Sequence, residues 1–176
     1  VMAEFAFSAY VKVGENRYRE RYGLDFEDFE VGQVFQHRPG ITISQQDNVE
    51  ETVDTLNQAM LHFDANYAAQ TEWKKPLGVS TLTLQRLMGL TWKTFNKKNR
   101  ICSWAEIKMT APVFGGDTLY AESEITHKAA AADDAECGQL TVVTRGINQA
   151  GRIVCAMEYA LLVYKRDRIP FDKAGY

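Results

Sequence analysis

A chain of 176 residues, 45% of them hydrophobic, is long enough to close one core, and four prolines and twelve glycines argue against extended disorder. Its formal net charge of -3 gives no general attraction to nucleic-acid phosphates or to an anionic membrane surface, so neither is expected as a partner. The three cysteines, Cys102, Cys137 and Cys155, lie far apart with no CxxC or Cys/His spacing, which argues against a disulfide framework or a metal site and points to a reducing, cytoplasmic setting.

From the N-terminus, residues 1–24 mix aromatic and charged residues without a clean period, and an N-terminal arm is expected ahead of one domain over 25–176. The opening VMAEFAFSAY has no basic segment followed by a long apolar one, and no apolar run approaches the roughly 18 residues that span a bilayer, so neither leader nor membrane span is expected. Between Val31 and Ile43, Val, Phe, Ile and Thr are interrupted at Pro39 and Gly40, which predicts a pair of strands. Ser44 followed by Asp47 is a capping-box start for a helix over SQQDNVEETVDTL. A loop, NQAMLH, comes next, and Asp64 then caps a short helix over ANYAAQT. Beyond Pro76 a longer helix is predicted from Ser80 to Phe95. Leu84, Leu87, Met88, Thr91 and Phe95 keep helical spacing there, and Leu82, Leu90 and Trp92 widen the apolar surface, so burial is expected.

The period then changes from about 3.6 to 2. Ala105, Ile107, Met109 and Ala111 alternate with polar neighbours, as do Leu119, Ala121, Ser123 and Ile125, which predicts two half-buried strands. KAAAADDAEC reads as a hairpin tip. LTVVTRGI, the turn NQAGR and IVCAMEYALLVY read as a further hairpin whose last strand, apolar on both faces, belongs inside a sheet. The expected fold is α+β, a curved antiparallel sheet wrapped around one long central helix.

The stretches FEDFEVGQVF, LHFDANYAAQTEWKKPLGVSTLTL and APVFGGDTLYAESEIT, in this order, resemble the MaoC-like hydratase/dehydratase branch of the hot-dog superfamily over roughly residues 26–165. The segment from Asn57 to Ser80 is most similar to mesaconyl-CoA hydratase (methylmalyl-CoA dehydratase) sequences. The resemblance implies a hot-dog fold, reversible hydration of a 2-enoyl-CoA, and a homodimer or assembly of dimers with the thioester in a tunnel between subunits. Coenzyme A enters as part of the substrate, and no separate cofactor is implied. The family loop runs Asp-x-Asn-Pro-Leu-His, with Asp and His sharing a catalytic water; here Asn57 replaces the Asp, Ala59 and Met60 follow, and His62 is retained.

Adding water to a thioester-conjugated alkene needs a base for the water and a donor for the enolate oxygen. An imidazole, titrating near pH ~6.5 when unperturbed, suits the first task, which the resemblance gives to His62. An amide at Asn57 orients a water but cannot take its proton. The helix start offers unpaired N–H groups, and by resemblance the donor is the Ser80 amide, expected to open on a cleft beside His62. The structural alternative is that Ser80 caps its helix through its hydroxyl. Val79 and Thr81, flanking Ser80, are expected to touch substrate, as are Lys74 and Lys75. Those lysines and the Lys97, Lys98, Arg100 cluster offer cations for coenzyme A phosphates, or form a solvated basic edge. Asp64 reads as a helix cap, and Asp54, one turn before Asn57, either stands in for the missing carboxylate or is an exposed helical Asp. His37 and His127 carry no motif.

Two other classes stay open. A hot-dog thioesterase needs a polar group on the central helix, which offers Gln85 and Thr83 but no Asp or Glu. A non-catalytic acyl-thioester binder fits the lost loop Asp.

Overall fold

The computed structural model describes residues 8–175. Seven strands occur among them: β1 Tyr10–Gly14, β2 Arg17–Glu20, β3 Val34–Thr42, β4 Lys98–Met109, β5 Thr118–Ala130, β6 Cys137–Asn148 and β7 Ile153–Tyr164. The helices are α1 Gln45–Asp54, α2 Ala65–Ala68, α3 Ser80–Leu90 and α4 Trp92–Phe95. Strands β3 to β7 form one antiparallel sheet in the order β3-β5-β6-β7-β4, and α3 packs across it. This is the α+β arrangement expected. No helix among the described residues is long and apolar enough to cross a membrane.

The 80–95 helix differs from its expectation in two ways. It breaks at Thr91, whose N–H and hydroxyl both reach the Met88 carbonyl at 3.2 and 2.7 Å, tightening the last turn. It is also buried on one side only, through Leu82, Thr83 and Leu87, while Trp92 stays 53% exposed. Leu87 meets the sheet at Gly146, where a Cβ would collide with its methyl groups; glycine there lets helix and sheet approach. The core around this contact joins Phe29, Ile43, Leu119, Ile125, Leu140, Val142, Met157 and Leu161.

Residues 31–43 hold one strand, not two. Pro39 is tolerated because β3 lies at the sheet edge, and the pairing with β5 is irregular between His37 and Ile41. Gly40 is required there, since a Cβ would sit 2.6 Å from the Tyr120 ring. Within the arm, residues 10–20 form a β1–β2 hairpin that sequence periodicity missed, because side chains on both its faces are exposed; residues 1–7 lie outside the described residues. The arm is tied to the body by Arg21, bonded to Asp25 at 3.3 Å and Asp28 at 2.6 Å, with Lys97 on Asp25 and Arg166 on Asp28. Strand β4 was expected to be half-buried, but from Cys102 to Met109 it is exposed on both faces, as the outer strand of the sheet. Strand β7 lies inside the sheet, as its doubly apolar sequence implies.

A polar row crosses this core. His37 Nε2 meets Ser123 Oγ at 2.9 Å, Ser123 meets Thr144 at 2.7 Å, and Thr144 meets the Tyr159 hydroxyl at 2.9 Å. Burial, helped by the Arg38 charge, pushes the His37 pKa down to about 4. The neutral imidazole is therefore the folded form, whereas an unfolded histidine takes a proton near pH ~6.5. The stability this neutrality supports is complete above that pH and is lost as pH falls through it towards 4. Chemical denaturation between pH 7 and 4 should show a loss of up to about 3 kcal/mol from this group, and His37→Gln should remove that part of the slope.

Candidate active site

The site is assembled by α1, the His62 loop and the start of α3. Ser44 opens α1 with the expected capping box, its hydroxyl accepting from the Asp47 N–H at 3.0 Å. The Ser44 hydroxyl and amide in turn hold the Asp47 carboxyl below the usual carboxylate range, with Arg86 of α3 contributing at 3.2 Å. Glu51 accepts from the Gln85 amide at 2.7 Å, a second tie between α1 and α3. Between these ties lies Asn48, fully buried. Its amide nitrogen donates to the His62 carbonyl at 2.8 Å and the Leu77 carbonyl at 3.0 Å, and its oxygen accepts from the Val79 N–H at 2.7 Å.

The His62 loop therefore lies against the segment leading into α3. Leu77 N–H donates to the Leu61 carbonyl at 3.2 Å, and Gln45 adds a second donor to the His62 carbonyl. The His62 ring bonds the same segment, with Nδ1 2.8 Å from the Leu77 carbonyl oxygen. A carbonyl only accepts, so Nδ1 carries the hydrogen and the neutral ring presents a bare lone pair at Nε2. Gly78 passes close under the next strand region, its N–H 2.7 Å from the Val113 carbonyl, where a Cβ would clash.

Helix α3 is capped by the Val79 backbone, with no side-chain cap bond. The capping reading of Ser80 is thus corrected: Ser80 is the first helical residue, and its hydroxyl caps nothing. Val79 N–H is consumed by Asn48, while Ser80 N–H has no partner among the described residues. Ser80 lines a cleft of about 280 Å³ together with Trp73, Leu77, Gly78, Thr83 and Met109. His62 is not among its walls; it is joined to the cleft through Leu77. A larger hollow of about 450 Å³ lies between the arm and the body, lined by Tyr10, Leu24, Phe35 and Thr94 among others. We place the site in the smaller cleft, because there the helix start and the segment carrying His62 meet.

The remaining sequence candidates fall in different places. Asn57 Oδ1 accepts from the Ala59 N–H at 2.9 Å, which leaves its NH2 group free to donate. Asp64 caps α2 by accepting from the Tyr67 N–H at 2.9 Å, and Asp54 is exposed, with no ion pair among the described residues. Thr81 is exposed, Val79 is buried outside the cleft wall, and Lys74 is exposed. Lys75 sets its ammonium 4.2 Å from the Phe114 ring centre. The Lys97, Lys98, Arg100 run is not one solvated edge: Lys97 pairs with buried Asp25 at 2.6 Å, and Lys98 lies over the Trp92 ring, half-buried with its pKa pushed down by burial. Asn48 was not singled out from sequence. Its only signal was an amide within the first turn of a polar helix, where exposure is the ordinary fate.

Comparison with known proteins gives a family model described as mesaconyl-CoA hydratase, matched over residues 5–175. The chain is similar to a beta-methylmalyl-CoA dehydratase of Chloroflexus aurantiacus, 31% identical over 124 residues, covering 68% of this chain and 34% of that protein. It is also similar to a mesaconyl-CoA hydratase of Cereibacter sphaeroides, 29% identical over 157 residues, covering 82% and 42% respectively. The chain thus spans well under half the length of these two relatives. Among solved structures, a Mycobacterium tuberculosis protein with a double hot-dog fold superposes with a TM-score of 0.75 at 21% identity, covering 82% of this chain and 45% of that one.

Asn48→Ala should orphan the buried Val79 N–H and strip one donor from each of two carbonyls, costing about 3 kcal/mol in urea or thermal unfolding. The isosteric Asn48→Asp should be at least as damaging, since its oxygens then face the His62 and Leu77 carbonyls. An Asp variant as stable as the parent would show that the amide donors carry no weight.

Proposed function

The chain belongs to the mesaconyl-CoA hydratase family, and from that premise we propose that it acts in the reversible hydration of a 2-enoyl thioester of coenzyme A. The observation that carries this reading is the Leu77–Val79 segment. It anchors the imidazole through the Leu77 carbonyl and leads directly into the unbonded Ser80 amide. Base and oxyanion donor are thereby built on one short, doubly bonded stretch of backbone.

In the hydration direction His62 Nε2 takes a proton from water as the water oxygen bonds to C3 of the acyl chain. The alkene electrons move onto the thioester oxygen, where the Ser80 N–H and the positive end of α3 stabilise the enolate. Proton return to C2 completes the addition, and dehydration runs the same steps backwards. Asn57, with Oδ1 already accepting from Ala59, donates from its NH2 group to the water oxygen and cannot act as base. Thr81 and Lys74, exposed beside the helix start and in the preceding loop, and the Lys75 ammonium are the proposed contacts for the rest of the thioester, with Val79 setting the backbone geometry. Coenzyme A is part of the substrate and no further cofactor is invoked.

We also propose a second copy of this chain as partner. Strand β4 has an open edge and carries Trp104, Ile107 and Met109 at 42–44% exposure, and the chain covers about half of a double hot-dog protein. Sedimentation at micromolar concentration should give a mass of at least two chains.

A thioesterase is disfavoured, since Gln85 is engaged by Glu51 on the exposed side of α3 and the helix has no carboxylate. Incubation with a panel of acyl-CoA thioesters, followed by mass spectrometry, separates the classes. Gain or loss of one water is expected; release of free acid would indicate a thioesterase, and binding without turnover a binder. His62→Gln should cost about 10² to 10⁴ in rate with the fold preserved. Asn57→Asp should hold or raise activity and add an acidic limb to the pH profile. If Asp54→Asn is as damaging as His62→Gln, the base is a relocated carboxylate and the one-histidine mechanism is wrong.

A further inference from the structure

Alternation along β2 puts Arg19 and, just past the strand end, Arg21 on the face turned towards the body, while Tyr18 and Glu20 stay exposed. The two arginines meet different surroundings. Arg21 joins Lys97 and Arg166 around the buried carboxylates of Asp25 and Asp28, so both carboxylates are already shared between cations. Arg19 has no ion pair or hydrogen bond among the described residues. Its Nε is enclosed by protein with nothing to donate to, the one such side-chain atom among those residues, and its Cζ lies 5.7 Å from the centre of the Tyr22 ring. A guanidinium stripped of water along its inner edge is costly to leave without a counter-ion. With Nε sealed, the two terminal nitrogens are the edge that a counter-ion can reach.

Arg19 lines a hollow of about 250 Å³ between the arm and the 166–171 segment. The wall carries four cations, Arg19, Arg21, Lys97 and Arg166, against two carboxylates, Asp25 and Asp167. Asp25 is consumed by the cluster, and Asp167 is exposed with no ion pair among the described residues, so an arriving negative charge balances the wall. Tyr22 and Phe171, edge to face at 5.2 Å, give the hollow an apolar side. We infer that this hollow binds a small oxyanion, a phosphate or carboxylate held by the Arg19 guanidinium, and that its occupant fastens the β1–β2 hairpin to the body. A planar pair of N–H donors matches two oxygens of either group, and the volume suits a compact anion better than a drug-sized ligand. A two-stranded hairpin is marginal by itself, and here the charge that the anion would engage is the hairpin's own. The hollow shares no wall residue with the thioester cleft, so the site stands independently of the proposed hydration.

Titration calorimetry with sodium phosphate and, separately, sodium succinate, at constant ionic strength set with chloride, tests the site and tells which oxyanion it prefers. Parent is compared with Arg19→Met, which keeps most of the apolar stem, and with Arg19→Lys, which keeps the charge but not the paired donors. Affinity for the preferred anion should fall about tenfold or more in Arg19→Met and by less in Arg19→Lys. The lysine variant carries the comparison if the methionine variant does not fold. Amide hydrogen exchange over residues 10–20 should slow on adding the anion to the parent and stay unchanged in Arg19→Met. Equal affinity in parent and variants, or no binding of either anion up to about 10 mM, overturns the site. Binding that leaves exchange in the hairpin unchanged overturns the fastening. Displacement of the anion by coenzyme A overturns the separateness of the site, since the hollow then belongs to the thioester's footprint.

Discussion

The arrangement of the site depends on one buried amide. Asn48 sits where three chain segments meet: its oxygen closes the Val79 N–H, which would otherwise be dehydrated and unpaired, and its NH2 group joins the His62 and Leu77 carbonyls, which Gln45 and the His62 ring also reach. Because Asn48 belongs to α1, the distance from α1 to the start of α3 fixes where the His62 loop lies. The outer ties, Asp47 to Arg86 and Glu51 to Gln85, are exposed or half-exposed and contribute little energy by themselves. They tie α1 to the face of α3, and the amide at the centre sets the register. Taking the Val79 N–H out of play has a chemical consequence. The first N–H of α3 left without a partner is that of Ser80, on the cleft wall.

The sheet beneath solves a different problem, how to hold hydroxyls and an imidazole in an apolar core. Each member of the row from His37 to Tyr159 has neighbours that both donate and accept, so the row is satisfied only while all members are neutral. Burial enforces this from both sides, pushing His37 down to about 4 and Tyr159 up to about 12. The row runs under the C-terminal end of the helical segment, where Thr94 Oγ1 approaches His37 Nδ1 at 3.3 Å. The candidate site thus lies at one end of the helical segment and the buried polar row at the other.

Much of the architecture was legible in the sequence because it is written locally. The Ser44–Asp47 box, the Asp64 cap, the change of period after residue 100 and the doubly apolar last strand each follow from neighbours within a few positions. What sequence reading missed depends on contacts far along the chain. Asn48 looks like a solvated helix residue until the 62 and 77–79 segments arrive 14 to 31 residues later. Pro39 looks like a strand break until the strand proves to be an edge. His62 and Ser80 were named only through family resemblance, since neither a single His in a loop nor a Ser before a helix is distinctive. The structure shows the His62 ring bonded through Nδ1 to the Leu77 carbonyl and the Ser80 amide without a partner among the described residues, features the proposed roles draw on.

The exposed strand β4 links assembly to chemistry. Its apolar alternation was read as half-burial, and among the described residues nothing covers it from Cys102 to Met109. Met109, at its end, is 42% exposed and also forms part of the cleft wall beside Ser80 and Thr83. Under the proposed pairing with a second copy, any element that buries Trp104, Ile107 and Met109 must also narrow the mouth of that cleft. Excluding water from it would strengthen the proposed Ser80 hydrogen bond to a bound acyl group, which is worth more at lower local dielectric. On that reading the apolar residues that look misplaced on an outer strand answer the same requirement as the unpaired Ser80 amide on the helix, a cleft finished only when a second surface and a substrate are both in place.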